Sequence, residues 1–220
     1  MTAVLQYYSP ELFQSLPSVG QAAAGFKELG GLSKIEAALA AMARKHPSAQ
    51  NFGVQLLHRH SDLDKDEIML AYGSTTIPVK KSEISEASKG NLCTTIWGIR
   101  PDGNKLLPLE FAFVENTDDK LPDLDQELAM DFIRVLKQLG LENVLGLALV
   151  KPGQELGLET THGRANIVLP ANLIVTSANS IDVLWPLSAL GGDSATLNKC
   201  VQTCWKNIKG GHSEIHKRQS

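Results

Sequence analysis

The sequence predicts an α+β fold, a mostly antiparallel sheet packed with two to three helices, on three observations. Helical periodicity is confined to a few separated windows, the clearest from Asp123 to Leu139. Short runs with two-residue alternation fill much of the remaining chain and come in groups. The order therefore lacks the regular strand-helix alternation of a parallel βαβ fold. At 220 residues and 43% hydrophobic composition the chain can bury one sizeable core. Residues 1–220 read as a single domain, with 1–31 as an N-terminal wrapping segment and 210–220 as a polar tail.

Short helical stretches over Pro10–Leu16 and Gln21–Leu29 end at Gly30-Gly31. Ser33 and Glu36 have capping-box spacing, and Ile35, Leu39 and Met42 then form one apolar stripe, so a helix is expected as far as His46-Pro47. Phe52 to His60 follows as a strand. Glu67–Tyr72 reads as a second strand paired with it across the polar Ser61–Asp66 turn, and Lys80–Gly90 as a solvated loop or short helix. Asn91–Arg100 and Lys105–Glu115 flank the turn-forming Pro101-Asp-Gly-Asn104 and predict a hairpin. There Leu107, Leu109, Phe111 and Phe113 share one face and Glu110 takes the other. In the 123–139 helix, Leu128, Phe132, Val135, Leu136 and Leu139 are helically spaced, and Gly140 sits at the expected C-cap. Asn143–Val150 reads as a buried strand, and Leu156–His162 and Ile167–Leu169 as further strands. A last helix is expected over Ser194–Ile208, with Cys200 and Cys204 one turn apart.

The formal charge of -3 and pI near 6.1 argue against a general nucleic-acid binder. No apolar run approaches membrane-spanning length, and no basic-then-apolar leader opens the chain. Three cysteines, Cys93, Cys200 and Cys204, do not make a disulfide scaffold. The expectation is a cytoplasmic protein with reduced thiols, no membrane or nucleic-acid partner, and homo-oligomerisation left open.

Two constellations carry chemistry. In Phe52-Gly-Val-Gln-Leu-Leu-His-Arg-His60 a strand's period puts His58 and His60 on the face of Phe52, Val54 and Leu56. Two imidazoles at H-x-H spacing on a rigid element can grip one divalent ion, zinc or iron, with copper or manganese as alternatives. His162, Glu67 or Glu110 would complete the set, and whichever glutamate is not a ligand could act as general base. The other reading of the pair is one core histidine satisfied by a backbone carbonyl and one at the strand end in water. The second constellation is Cys200, Cys204, His212 and His216, four zinc-compatible side chains that would staple the last helix to the tail as a structural site. His212 and His216 could instead fold back to join His58 and His60.

The first constellation also resembles a cupin. Gly53, His58, His60, Glu67 and Gly73 follow the order of that superfamily's first motif, and His162 and Asn166 have the spacing that ends its second. The resemblance implies a cupin-like barrel, here with an insertion carrying the 123–139 helix, and a metal held by the histidines. The stretch Leu56-Leu-His-Arg-His60 to Glu67-Ile-Met69 is similar, too, to small uncharacterised fungal proteins, which implies no reaction.

The leading expectation is a metal-binding protein, a metal-dependent enzyme acting on a small organic molecule by hydrolysis, hydration or oxygenation. Two rivals stand beside it. One is a non-catalytic interaction protein with a structural zinc or no metal, and the other a metal-free isomerase or lyase using histidine as acid and base in a sheet-lined cavity.

Overall fold

The computed structural model describes residues 5, 7–85, 88, 91–114, 122–150, 157–170, 180–190, 198–206 and 212–219; side chains of the last two segments and of residues 158, 160, 170 and 180 lie outside the description. Its helices are α1 (Pro10–Gln14), α2 (Val19–Glu28), α3 (Gly31–Ala43) and α4 (Gln126–Leu139). Its strands are β1 (Phe52–Leu56), β2 (Glu67–Tyr72), β3 (Thr75–Lys80), β4 (Leu92–Ile99), β5 (Leu106–Phe113), β6 (Leu145–Leu149), β7 (Gly157–His162), β8 (Ala165–Pro170), β9 (Ser180–Pro186), β10 (Asn198–Lys206) and β11 (His212–Gln219). The α+β class is as expected. No described helix is long and apolar enough to cross a membrane.

The first nine strands form one mixed, curled sheet, a half-barrel in the order β7-β8-β3-β2-β5-β4-β6-β1-β9. The β2–β5 pair is parallel, and its other neighbouring strands pair antiparallel. Strand β10 runs parallel to β7 and bridges to β9 at Asn198 opposite Leu184, and β11 lies beyond it.

The convex face of β1, β6 and β9 carries the main core. Phe52, Val54, Leu56, Leu145, Leu147, Val183 and Trp185 pack there against Phe26 of α2, Ile35 and Leu39 of α3, and Leu128, Phe132 and Leu136 of α4. The α4 helix matches its expectation closely, with Asp125 as N-cap and Gly140 in the left-handed conformation as C-cap. His46 Nε2 lies 3.0 Å from Asp131 Oδ2 and ties the end of α3 to α4. His46 and Arg134 together hold the Asp131 carboxyl below its usual range.

Several expectations are corrected. The Ser33 capping box does not form: α3 starts at Gly31 with Gly30 as its N-cap, three residues before Ser33, and the Ser33 hydroxyl donates to the Gly30 carbonyl. The reciprocal box sits on α2, between Ser18 and Gln21. Strand β2 pairs with β3 and β5 instead of β1, because a tight turn at Gly73 supplies a closer partner. The last segment expected as helix is strand β10, so the helical-turn argument for Cys200 and Cys204 does not apply to it. The side chains of Cys200, Cys204, His212 and His216 are outside the described residues.

Gly146 shows why β6 needs a glycine. A Cβ there would run into the Trp97 carbonyl oxygen and lie 2.6 Å from Leu57 Cδ2. Gly146→Ala is expected to cost about 1–3 kcal/mol, the range for overpacking, read as a lowered urea midpoint. An unchanged midpoint would mean that Leu57 and the β4 backbone yield freely.

Of the N-terminal segment, α2 adds Val19, Ala22 and Phe26 to the main core, while α1 and the residues up to Pro17 pack against the chain after β1. Phe13 and Leu16 pack with Leu57, Leu63 and Met69 in a separate core. Arg59 donates from its backbone to the Pro17 carbonyl at 3.0 Å and from its guanidinium to the Gln14 carbonyl at 3.2 Å. Residues 57–63 have no ladder, so these contacts hold them.

Candidate metal centre

Strand β1 stops at Leu56, before either histidine. The two-residue parity that placed His58 and His60 with Phe52, Val54 and Leu56 therefore lapses. The chain turns, and both imidazoles border a small void on the concave side with Gln55, Leu57, Phe13 and Glu110. Their ring centroids are 4.6 Å apart at 75°. His58 is 4% exposed, and its Nδ1 lies 2.8 Å from the Leu56 carbonyl. A carbonyl only accepts, so Nδ1 carries the proton, and in the neutral ring Nε2 is the atom with a lone pair to offer.

The carboxylate facing them comes from β7. Glu159, 1% exposed, lies with Oε1 3.5 Å from His60 Nε2. Asn166 on β8 donates to the same Oε1, and the Thr161 hydroxyl lies 3.4 Å from His60 Nδ1. Among the described residues, His58, His60 and Glu159 each offer one ligand atom within 4.8 Å of the others. Tetrahedral or octahedral ligands about 2.1 Å from an ion stand about 3–3.5 Å apart, closer than the 4.8 Å that bounds these three atoms.

The expected partners fall elsewhere. His162 is exposed on the other side of β7 from Glu159 and Thr161. The Gly163-Arg164 turn pairs His162 with Ala165 and so fixes this alternation, Gly163 taking the positive φ of 60° that the turn needs. Glu67 accepts from both Arg164 guanidinium nitrogens, one of them at 3.1 Å, and from the Asp64 backbone N–H at 2.8 Å. The Arg164 guanidinium holds the Glu67 carboxyl below its usual range, leaving it a structural anion between the β7–β8 turn and β2. Glu110 does face the concave side, on β5, but outside the His-His-Glu group. Asn166, half of the cupin-like spacing, is present as a hydrogen-bond donor to Glu159.

Glu67 has a folded pKa below its unfolded value, so its pairing stabilises the protein above the unfolded pKa, and that contribution is lost as pH falls through the folded one. Arg164→Gln is accordingly expected to cost about 1–2 kcal/mol at neutral pH, at the modest end because the guanidinium is half exposed. The difference from wild type should close below the ordinary glutamate range of about pH 4. Urea melts across pH check it, and a pH-independent difference would rule out the ion pair as the cause.

A half-enclosed cavity of about 340 Å³ lies beside Glu159 within the curl, and each of β1 to β9 lends it at least one residue. Inward-facing alanines, Ala71, Ala112 and Ala148, leave the space. Gln55, Thr76, Glu110 and Glu159 make its wall polar. Sequence reasoning passed over Gln55, Thr76, Glu159 and Thr161 because it took the apolar face of each strand as the inner one. Glu159 between Leu158 and Thr160 carried the only signal, a charge at alternate parity in a strand.

No family model, curated protein or solved structure matches the chain.

Proposed function

We propose that the protein binds one divalent metal ion through His58, His60 and Glu159 and acts as a metal-dependent enzyme on a small organic molecule held in the adjoining cavity. The observation that carries this reading is the convergence of two imidazoles and a carboxylate within 4.8 Å of one another, the carboxylate of Glu159 also lining that cavity. Two histidines and one carboxylate suit iron(II) or zinc with open positions, and such an ion polarises an oxygen or activates water or dioxygen. The chain's own groups are arranged to support it. The Leu56 carbonyl fixes the His58 tautomer, and Asn166 orients Glu159 by donating to it, the kind of outer hydrogen bonds that tune metal ligands. The α1 segment covers the histidines and keeps bulk water from that side.

The test is elemental analysis of the protein purified without an affinity tag, as isolated and after dialysis against zinc and against anaerobic iron(II). One ion per chain, absent in His60→Ala, supports the reading. No bound ion under any of these conditions refutes it.

A further inference from the structure

Resting on that reading of the cavity, we infer that its ligand is an uncharged, hydroxylated molecule, a short polyol, held between Gln55 and Thr76. Both residues line the cavity, from opposite walls: Gln55 is on β1 and Thr76 on β3, with four strands between them in the sheet. They are 3% and 8% exposed. Gln55 stands between Val54 and Leu56, which enter the main core, so strand alternation turns its carboxamide to the concave side. Its Nε2 makes one long bond, 3.5 Å, to the Leu56 carbonyl, and its Oε1 has no partner among the described residues. The Thr76 hydroxyl has none among them either. Buried polar groups are as a rule hydrogen-bonded, so two unpaired ones facing a single cavity mark where a ligand's groups belong.

The rest of the wall fits the same class. A register shift in the β4–β5 ladder leaves Thr95 without a ladder partner, and its side chain joins the lining, the re-aiming that a bulge allows. Ser74, at the β2–β3 turn, adds a further hydroxyl. Carboxamide and hydroxyl groups both donate and accept, as an alcohol does, whereas an ion would shed its hydration against them at far greater cost. A hydroxyl also meets the carboxyls of Glu110 and Glu159 in either protonation state, accepting from the acid and donating to the carboxylate. Because polar groups stand on opposite walls, the ligand needs hydroxyls along its length, and Ala71, Ala112 and Ala148 on the strands between them receive its carbon skeleton. A volume of about 340 Å³ lies at the small end of ligand sites, which run from roughly 300 to 1,000 Å³.

The experiment compares three probes of one skeleton that differ at one end, sorbitol, gluconate and glucamine, by saturation-transfer NMR and equilibrium dialysis. The full-length protein is chelator-treated, so that no ion gathers the probes, and its zinc stoichiometry is measured separately. Sorbitol should bind at least about tenfold more tightly than either ion, since only the ions lose a charge's hydration on entry. Gln55→Leu and Thr76→Val should each weaken sorbitol by about tenfold, because a ligand hydroxyl loses its partner. Ala112→Leu, which fills the cavity and spares both polar groups, should abolish binding. Thermal melts show that the variants are folded. Preferential binding of gluconate or of glucamine would overturn the uncharged class. Sorbitol binding unchanged in Gln55→Leu and Thr76→Val would overturn the role given to these residues. No probe bound by a folded protein that holds one zinc per chain would overturn the inference and leave the metal reading standing. Sorbitol preference that depends on Gln55 and Thr76 in a protein that never holds zinc would uphold the inference and refute the metal.

Discussion

Glu159→Gln is expected to weaken zinc binding by about a hundredfold or more while leaving the fold in place. The substitution keeps the shape and keeps an oxygen to accept from Asn166, but removes the one anionic ligand of the set. Loss of an outer hydrogen bond alone costs roughly ten- to a hundredfold in metal affinity, and a direct anionic ligand should cost at least the upper end. Calorimetric titration of the chelator-treated protein with zinc measures it. Urea melts in chelator should superimpose on wild type, or show the variant slightly more stable, since a buried charge has gone. Because a metal displaces protons from its ligands, wild-type affinity should also fall as pH is lowered. Unchanged zinc affinity in Glu159→Gln would leave the His-Glu contact at 3.5 Å as a hydrogen bond without a metal role.

Phe13→Ala is expected to cost about 3–5 kcal/mol, the range for removing a buried aromatic ring. Phe13 is fully buried between Leu57, Leu63 and Met69, and it borders the void beside both histidines. Its removal does two things at once. It creates a cavity in the small core that anchors residues 57–63, and it opens the histidine side of the site to water. A urea melt reads the first effect. Zinc titration at a temperature where the variant is still folded reads the second, with a weaker and faster-dissociating complex expected. A loss below about 1 kcal/mol, well under that range, would mean that the core collapses around the gap and that Phe13 is not the anchor of residues 57–63.

The elements legible in the sequence were those whose signal is local. Gly140 after the apolar stripe of α4, and Pro101-Asp-Gly-Asn104 between two apolar runs, specify their structure through turn and cap chemistry a few residues long. Pairing over distance was not legible: nothing in Glu67–Tyr72 says that it prefers β3 and β5 to β1. The site was half legible for the same reason. His58 and His60 stood out as a spacing, but their direction followed from where β1 ends, and their carboxylate partner sits on a hairpin about a hundred residues away. Glu67, nearer in sequence, is consumed by Arg164, a pairing that depends on how β7 and β8 dock against β2. For the cysteine pair, i,i+4 spacing suits a helical turn, whereas Asn198–Lys206 is extended.

Of the described strands β1 is the first to be synthesised, yet its two neighbours are β6 and β9. While the chain emerges from a ribosome, Phe52, Val54 and Leu56 therefore wait without a ladder until residues 145–149 and then 180–186 have appeared. From the appearance of β1 to that of β6 the nascent chain carries an unpaired apolar strand, a species prone to misassembly. Its folding should belong to the slow class that non-local pairing imposes, on a scale of roughly milliseconds to seconds. Chains ending before β6 should accumulate as aggregates or chaperone-bound intermediates.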